Sequence, residues 1–283
     1  MELVRKSDGD NPTPLVRKLA ASVLLTPEEA DYLEGLESNL VRLKRGECLF
    51  RDGEDIETAY LVVSGWFSRH RVTGTGRRQM IGITLPGDFL ALRVTFEREM
   101  QFSAEALTDC EVAVIEPMRL IETYQRFPII ASGLDWSTVR TLNILGEHNV
   151  SLGARQATHR IAHFCLELWC RLALVNLAEE DGFAHPMTQE QLAATLGLSA
   201  VHTNKMLREL SDEGLLRWGR DFVRIDDLAA LADYADFDVG FLDTFKVTAN
   251  VPGAAAARNH ASEGDGSSFE RRLHRSTVAH QRG

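Results

Sequence analysis

Short apolar runs separated by turn residues occupy residues 40–116. Runs of this length, broken so often by Gly, Pro and Asp, are typical of antiparallel strands joined by tight turns. The separating segments are Lys44-Arg45-Gly46-Glu47, Arg51-Asp52-Gly53-Glu54, Ser64-Gly65, Thr73-Gly74-Thr75-Gly76 and Leu85-Pro86-Gly87-Asp88. The pattern therefore predicts a small antiparallel β-barrel or jelly roll.

A helix start signal lies upstream of the strand pattern. Thr26 is placed to cap a helix, Pro27 suits its first turn, and Glu29 closes a capping box. We therefore expect a first folded domain over 25–127, preceded by an N-terminal arm over 1–24.

Helical segments follow the strand pattern, one from Met118 to Gln125 and a longer one from Pro128. Within the longer one, a stripe of residues recurs at three- and four-residue steps, which predicts one helix over 128–152. The stripe consists of Leu134, Thr138, Thr141, Leu145, His148 and Leu152. Such a stripe either pairs with its twin in a second copy or packs on the barrel of its own chain, and its periodicity fits both.

A second domain is predicted over 153–232, where Gly153 breaks the pattern and an apolar-faced helix begins at Arg155. Further on, Thr188 caps a short helix and Gln191 closes its capping box. Gly197 then supplies a tight turn, and Ser199 caps the next helix. Two short helices meeting at a sharp corner predict a helix-turn-helix.

The second helix of this pair has two different faces. The residues that point inward are Thr203, Met206, Leu207 and Leu210. The residues that point outward are Ala200, Val201, His202, Asn204, Lys205 and Arg208. Small residues and hydrogen-bond donors suit a helix that enters the major groove of DNA.

A hairpin around Gly219-Arg220-Asp221 is predicted within Gly214 to Ile225 and forms a wing. A helical hairpin without any nucleic-acid role is the alternative. The caps, the corner glycine, the polar outer face and the wing together favour DNA binding.

The net charge of −10 is unfavourable for a protein that binds phosphates. Cations nevertheless concentrate on the predicted recognition helix and wing, whereas Glu179-Glu180-Asp181 is expected to lie away from that face. These cations are Lys205, Arg208, Arg217, Arg220 and Arg224. We therefore expect DNA binding of modest strength and steep salt dependence.

Composition further indicates where the protein works. No apolar run reaches the length of a membrane span, the N-terminus lacks the apolar stretch of a signal peptide, and the four cysteines have no staple-like spacing. We expect a cytoplasmic protein that has no membrane partner. Residues 246–283 lose all periodicity and are rich in small and polar residues, which predicts a disordered tail.

From Leu40 to about Leu231 the chain resembles regulators of the Crp/Fnr type. The resemblance is most specific from Thr188 to Leu216 and is supported by Leu85-Pro86-Gly87-Asp88-Phe89 and by Ala106 to Ile115. It implies an α+β chain with a cyclic-nucleotide-binding-like β-barrel, a long dimerisation helix and a C-terminal winged helix-turn-helix. It also implies a homodimer on a two-fold symmetric operator, without enzymatic activity or catalytic residues. The implied partners are double-stranded DNA, RNA polymerase and an unidentified small-molecule effector.

Position by position, the resemblance implies that Ser199 and His202 hold phosphates, while Ala200, Val201 and Lys205 occupy base-reading places. The best-known members carry arginine and glutamate in place of Ala200 and Val201, so the operator sequence is expected to differ. A valine methyl can contact a thymine methyl instead. The predicted DNA-binding residues are Thr188, Gln189, Ser199, Ala200, Val201, His202, Asn204, Lys205 and Arg208, with Arg217, Arg220 and Arg224 in the wing.

Members that bind a cyclic nucleotide use a Gly-Glu-Leu turn and then an Arg-Ser or Arg-Thr pair, because a buried phosphate needs a guanidinium and a hydroxyl. Here the turn is Gly87-Asp88-Phe89, and the place of the pair holds Met100-Gln101. The phosphate site is therefore predicted to be missing, and cyclic AMP is not the expected effector. The candidate effector-pocket residues are Asp88, Arg93, Arg98, Met100 and Gln101, with the two arginines interpreted as solvated loop residues.

Neither a cofactor nor a metal site is predicted. Cys165 and Cys170 fall on different faces of a helix and are interpreted as core residues, and no cysteine precedes Cys48 to hold an iron–sulfur cluster. A distant His and Cys pair could ligate haem, but no feature selects it. His159, His163 and Glu167 share a helical face at metal-ligand spacing, although such a face is more often polar surface.

The main alternative function is a cupin-like metal- or nucleotide-binding barrel that uses the winged helix as an interaction module. Enzymes of that kind cluster several histidines around one metal. Residues 40–116 contain a single histidine, His70, which argues against it.

Overall fold

The structure is a computed structural model that describes residues 11–76, 78–92 and 99–242. Arg93 and Arg98 of the candidate effector pocket, and the predicted tail over 246–283, lie outside the described residues. No helix within the described part is both long enough and apolar enough to cross a membrane.

Two four-stranded antiparallel sheets form the N-terminal barrel, with strand orders β1-β8-β3-β6 and β2-β7-β4-β5. These pairings are those of a jelly roll and confirm the predicted fold class. Side chains from both sheets meet in one apolar core, which includes Phe50, Val62, Phe67 and Val112. The strands are β1 (Leu40–Leu43), β2 (Cys48–Phe50), β3 (Ala59–Ser64), β4 (Phe67–Val72), β5 (Arg78–Thr84), β6 (Phe89–Ala91), β7 (Ser103–Ala106) and β8 (Cys110–Ile115).

Two helices precede the barrel, α1 (Pro14–Ala20) and α2 (Pro27–Leu36). The capping box predicted at Thr26 is present, since its hydroxyl accepts a hydrogen bond from the Glu29 N–H and the Glu29 carboxylate accepts one from the Thr26 N–H. Helix α1 lies within the predicted N-terminal arm, but its Leu15 and Leu19 are buried against the barrel and the long helix. This part of the predicted arm is therefore packed as part of the folded N-terminal domain.

The barrel is followed by α3 (Pro117–Arg126) and the long helix α4 (Pro128–Ala154). Helix α4 runs through Gly153, where the sequence pattern predicted a break, and so ends two residues beyond the predicted 152. An isolated glycine weakens a helix by about 1 kcal/mol without ending it.

The stripe predicted on α4 is divided between different contacts. Leu134 is buried in the cluster that includes α1 and the barrel, and the His148 Nε2 lies 2.6 Å from the Glu167 Oε2 in the next helix. A different face of α4 exposes large apolar side chains, namely Val139, Leu142 and Val150. The stripe therefore does not form one continuous surface: its last member, Leu152, is 39% exposed, while the other exposed apolar positions of α4 lie beside it.

The C-terminal domain consists of α5 (Ala157–Leu174), β9 (Gly182–Ala184), α6 (Gln189–Leu196), α7 (Ala200–Asp212), β10 (Leu216–Trp218), β11 (Phe222–Ile225) and α8 (Leu228–Ala235), with a short 3₁₀ turn at Val239–Phe241. The domain extends past the predicted boundary at 232. Ala235 and Leu242 are buried, and the ring of Phe241 stacks on His163 of α5 at 5.5 Å between ring centroids.

Helix α5 is buried on nearly all sides because it lies between the barrel and the winged helix. Its apolar residues share one core with Trp66, Ile83 and Leu107 of the barrel and with Leu210 and Leu231 of the C-terminal domain. The two domains are therefore joined by a continuous apolar core.

Candidate nucleic-acid interface

Helices α6 and α7 form the predicted helix-turn-helix, and the predicted helix caps and the turn at Gly197 are present. The Thr188 hydroxyl accepts from the Gln191 N–H at 3.2 Å, and the Gln191 Oε1 accepts from the Thr188 N–H at 2.9 Å. Gly197 ends α6 with φ +66°, a left-handed conformation that favours glycine. Ser199 caps α7 by accepting from the His202 N–H at 3.2 Å.

The recognition helix α7 buries one face and exposes the other. Thr203, Met206, Leu207 and Leu210 are buried, as predicted. Val201 is 84% exposed, an unusual state for a valine that makes it the most exposed of the large apolar side chains among the described residues. The other outward residues that are exposed are Ala200, His202, Lys205 and Arg208. An exposed apolar side chain such as Val201, in the first turn of a capped helix, is suited to contact the methyl group of a base.

Asn204 is half-buried because its amide is engaged inside the motif. Its Nδ2 donates to the Gln189 Oε1 at 2.9 Å and so joins the first turn of α6 to α7. Both side chains retain one free end, the Asn204 carbonyl oxygen and the Gln189 amide nitrogen. The bond therefore holds two polar groups in fixed positions at the exposed surface.

A shallow groove runs along α7 and has an uneven charge. Its near end is lined by Val201 and Lys205, whereas Glu209, Asp212 and Glu213 line its far end. Phosphates approach the positive end of a helix, which is its N-terminus. The groove therefore favours DNA at the first half of α7 and repels it from the second half.

The predicted wing is present as β10 and β11, which pair Leu216 with Ile225 and Trp218 with Val223. A third strand of this sheet, β9, pairs with β11 and was not predicted from the sequence. His185, directly after β9, packs on Trp218 with ring centroids 4.1 Å apart, and burial lowers its pKa to about 4. His185 is therefore neutral and adds no charge to the wing.

The expectation that Glu179-Glu180-Asp181 lies away from the DNA face is wrong for Asp181. Strand β9 brings its carboxylate against Arg224, to which it forms an ion pair. Arg217 is similarly paired with Asp226, with its Nε 2.9 Å from the Asp226 Oδ2. Among the described residues Arg220, at the tip, has no such carboxylate partner. The wing therefore offers less free positive charge than the sequence suggests.

One basic residue of the barrel also reaches this surface and was missed. Arg45, in the turn between β1 and β2, donates from its Nη2 to the Pro186 carbonyl oxygen at 3.5 Å. It lines a cleft with Thr188, Gln189 and Arg220. No local sequence signal marks Arg45, because its proximity to the winged helix depends on how the domains pack.

The candidate effector-pocket residues within the described ranges, Asp88, Met100 and Gln101, do not converge. Asp88 faces outward from the barrel and forms ion pairs with Lys18 of α1 at 2.6 Å and with Arg171 of α5 at 2.7 Å. Although burial raises the pKa of the Asp88 carboxyl, these two cations hold it well below its usual range. Met100 is buried in the barrel core, and Gln101 is exposed. The small cavity lined by Asp88 includes neither of them.

The three residues of α5 that have metal-ligand spacing, His159, His163 and Glu167, contact different partners. His159 stacks on Tyr234 with centroids 4.7 Å apart, and Glu167 binds both His148 and Arg171. Within the described ranges, no group of three His, Cys, Asp or Glu residues is placed to hold a metal ion. Burial raises the pKa of the Cys165 and Cys170 thiols, as expected of core residues.

Two family models match the chain. Residues 40–127 match the cyclic nucleotide-binding domain, and residues 159–234 match the Crp-like helix-turn-helix domain. The nitrogen fixation regulation protein FixK of Bradyrhizobium diazoefficiens is 31% identical over 180 residues, which are 62% of this chain and 73% of that protein. The transcriptional regulatory protein btr of Bordetella pertussis is 27% identical over 203 residues, 72% of this chain and 84% of that protein.

A solved structure supports the same assignment. FixK2 from Bradyrhizobium japonicum has a TM-score of 0.61 and 26% identity, covering 69% of this chain and 96% of that chain. The sequence relatives and the fold thus agree with a barrel joined to a winged helix-turn-helix. The chain belongs to the Crp/Fnr family of DNA-binding transcription regulators.

Proposed function

We propose that this regulator acts as a homodimer that inserts α7 of each subunit into the major groove of a two-fold symmetric operator. The observation that supports this most directly is the outward face of α7, which presents an exposed Val201, His202 and Lys205 from a helix whose N-terminus is capped and free of acidic residues. Helices that read DNA in this family architecture dock with their N-terminal residues toward base edges.

The proposed contacts divide into two kinds. Ser199 and His202, in the first turn of α7, and Arg45 and Arg220 beside it bind phosphates, which fixes the position of the helix. Ala200, Val201, Asn204 and Lys205 face base edges, with the methyl groups of Val201 against a thymine methyl and Lys205 donating to guanine or to a phosphate. Thr188, Gln189 and Arg208 complete the surface, whereas Arg217 and Arg224 contribute less because each has a carboxylate partner.

The apolar face of α4 supports the dimer. Val139, Leu142, Gly146 and Val150 lie within a narrow arc of a helix with 3.6 residues per turn, and the three larger side chains are exposed in the single chain. An apolar stripe at this spacing on a long helix is suited to pairing with its copy. Two such subunits would place their recognition helices on half-sites about one helical turn of DNA apart.

The remaining parts of the proposal concern its partners. A regulator of this kind acts on DNA in the cytoplasm, binds RNA polymerase or blocks it, and needs no catalytic residues. A small-molecule effector other than cyclic AMP is proposed, because Met100, which the resemblance aligns with the phosphate-binding pair of cyclic-nucleotide binders, is an apolar side chain buried in the barrel core.

The proposed DNA face is tested with two alanine variants. We expect Lys205→Ala and His202→Ala each to weaken binding to the operator at least about fivefold, because each removes a contact worth roughly 1 kcal/mol or more. The operator is first obtained by sequencing genomic fragments that the purified protein retains at two salt concentrations. Fluorescence anisotropy with that operator then compares the variants.

A matched control removes a cation elsewhere. Arg119 on α3 is half-exposed and paired with Glu122, so Arg119→Ala changes the net charge without touching the proposed interface. Operator affinity equal to that of the unmodified protein in both α7 variants would contradict the assigned face. Retention of fragments without any two-fold symmetric motif would contradict sequence-specific binding by the dimer.

A further inference from the structure

A small cavity with an excess of positive charge lies where the barrel meets α1, α4 and α5. Four cationic side chains line it, and Asp88 is the carboxylate in its wall. The cations are Lys18, Arg69, Arg140 and Arg171. The open space is about 20 Å³, close to what one buried water requires, so the cavity excludes a nucleotide.

Two of the cations fully occupy the nearby carboxylates. Asp88 accepts from the Lys18 Nζ at 2.6 Å and from the Arg171 Nη2 at 2.7 Å, while the Arg171 Nη1 donates to Glu167 at 2.9 Å. Glu167 uses its other oxygen for His148. These two carboxylates therefore have little capacity left for another cation.

The other two cations, Arg69 and Arg140, have no carboxylate within ion-pair distance among the described residues. The Nε of each is buried without a hydrogen-bond partner. Arg140 is 6% exposed, and its guanidinium lies 5.3 Å from the centre of the Trp136 ring. Arg69 is half-buried, which leaves the cavity a route to solvent, and its guanidinium lies over Gly82, where any Cβ would collide with it.

Unpaired buried charge is unfavourable. Burial lowers the pKa of Arg69 and Arg140 to about 10 each, yet both remain protonated at neutral pH. Removing a charged group from water without a counter-ion costs several kcal/mol. The four cations and two carboxylates leave this junction with two positive charges that nothing in the described structure balances.

We propose that this cavity binds a small inorganic oxyanion between the guanidinium groups of Arg69 and Arg140. Guanidinium groups match the oxygens of planar and tetrahedral oxyanions, because their N–H donors form a fixed fork. The open space of about 20 Å³ favours the smallest oxyanions, such as nitrate, and the half-buried Arg69 leaves it open towards solvent. Thr84 and Ser137 in the cavity wall supply hydroxyl groups for the remaining oxygens, whereas the Thr141 hydroxyl donates to the Ser137 carbonyl oxygen.

An anion at this position would join the barrel to the long helix, next to the contact between the two domains. It would bridge Arg69 of the barrel to Arg140 of α4, beside the Arg171 that anchors α5 to Asp88. Occupancy would therefore hold α5, and with it the winged helix, more firmly on the barrel. This regulatory consequence rests on the proposed function, whereas anion binding itself does not.

The test is calorimetric titration of the full chain with inorganic phosphate and, separately, with the smaller nitrate, at constant ionic strength maintained with chloride. We expect one saturable site for at least one of these oxyanions. Arg140→Met should weaken it at least about tenfold, which corresponds to the loss of one charged hydrogen bond. Lys205→Ala should leave it unchanged, which separates this cavity from anion binding at the DNA face.

Melting temperature shows whether the variant is folded. Arg140→Met replaces an unpaired buried charge with an apolar side chain of similar length, so without oxyanion it should melt at the same temperature as the unmodified protein or higher. Only the unmodified protein should gain stability from the oxyanion beyond the effect of chloride. Absence of saturable binding in the unmodified protein, or equal affinity in a folded Arg140→Met variant, would overturn the site. Saturable binding that leaves operator affinity unchanged would support the site and contradict its regulatory consequence.

Discussion

Arg171 is the residue whose removal should most weaken the joint between the two domains. It is nearly fully buried on α5 and makes three contacts that end on different parts of the chain. It donates to the Ile83 carbonyl oxygen at 2.8 Å, to Asp88 at 2.7 Å and to Glu167 at 2.9 Å. Ile83 and Asp88 belong to the barrel, so Arg171 directly connects the barrel to the DNA-binding domain.

The expected cost of Arg171→Met follows from what the substitution leaves behind. Methionine fills most of the volume, but Glu167 is 0% exposed and Asp88 largely buried, and each loses a cation. Breaking a buried ion pair by removing one partner typically costs about 3–5 kcal/mol, because the remaining charge stays desolvated. In a chain of this size the melting temperature should fall by roughly 6–20 °C.

The measurement is thermal and urea unfolding of the full chain, followed by circular dichroism and by tryptophan fluorescence, which includes the buried Trp169 on α5. The matched control is Arg42→Met on β1, which breaks an exposed pair with Glu111. Exposed pairs contribute about 0–1 kcal/mol, so this control should unfold almost as the unmodified protein does. The comparison therefore separates the loss of any ion pair from the loss of a buried one.

A second substitution tests whether Arg171 and Glu167 stabilise each other. Glu167→Gln removes one of the two carboxylates that lose a cation in Arg171→Met, so in the Arg171→Met background it should be less destabilising than it is alone. A free energy of unfolding for Arg171→Met within about 1 kcal/mol of the unmodified protein would refute the argument from buried charge. Strictly additive effects of the two substitutions would show that Arg171 and Glu167 do not stabilise each other.

Three further predictions concern the dimer face, the corner of the helix-turn-helix and acid. Leu142→Asp, at a position 61% exposed on α4, should yield monomers in light scattering, whereas Val72→Asp at the exposed end of β4 should not. A dimeric Leu142→Asp variant would exclude this face. Gly197→Ala should lower the free energy of unfolding measured in urea by about 1–2 kcal/mol, because φ +66° is unfavourable for alanine. The control, Gly35→Ala in α2, should be neutral or stabilising, because an added Cβ there meets nothing within 4 Å. Equal effects of the two substitutions would contradict the explanation from the backbone conformation of Gly197. Burial raises the pKa of Glu167, but His148 and Arg171 lower it to about 2, below the ordinary 4.5. Its contribution to stability is therefore complete above pH 4.5 and is lost as pH falls toward 2, and Glu167→Gln should flatten the dependence of unfolding free energy on pH over that range; an unchanged slope would contradict the assignment.

The helix-turn-helix was predictable from the sequence because its signals are local. The caps at Thr188 and Ser199 depend on hydrogen bonds to N–H groups three residues away, and the turn at Gly197 depends on the conformation of one residue. The same holds for the capping box at Thr26. Signals of this range are complete within a few residues, so the order of the chain already contains them.

The residues whose surroundings could not be predicted from the sequence have the opposite property, since their environment depends on distant parts of the chain. Asp181 meets Arg224 across 43 residues, and Arg45 meets Pro186 across 141. Met100 stands near the place of a nucleotide contact in sequence, yet its side chain fills the barrel core. Helix α1 falls within the predicted N-terminal arm, and only the structure places its leucines in contact with the barrel and α4.

The sequence by itself determined that this chain carries a strand-rich domain, a long helix and a winged helix-turn-helix with an outward polar face. It did so because hydrophobic periodicity and helix caps are properties of neighbouring residues. Only the tertiary structure decided which charges are buried. Glu167, Arg171 and Arg140 are all buried because the barrel covers α5 and α4, and Arg171 joins Glu167 to Asp88 of the barrel only for that reason. The residues next to a charged side chain in the sequence do not indicate whether another domain will cover it and exclude water.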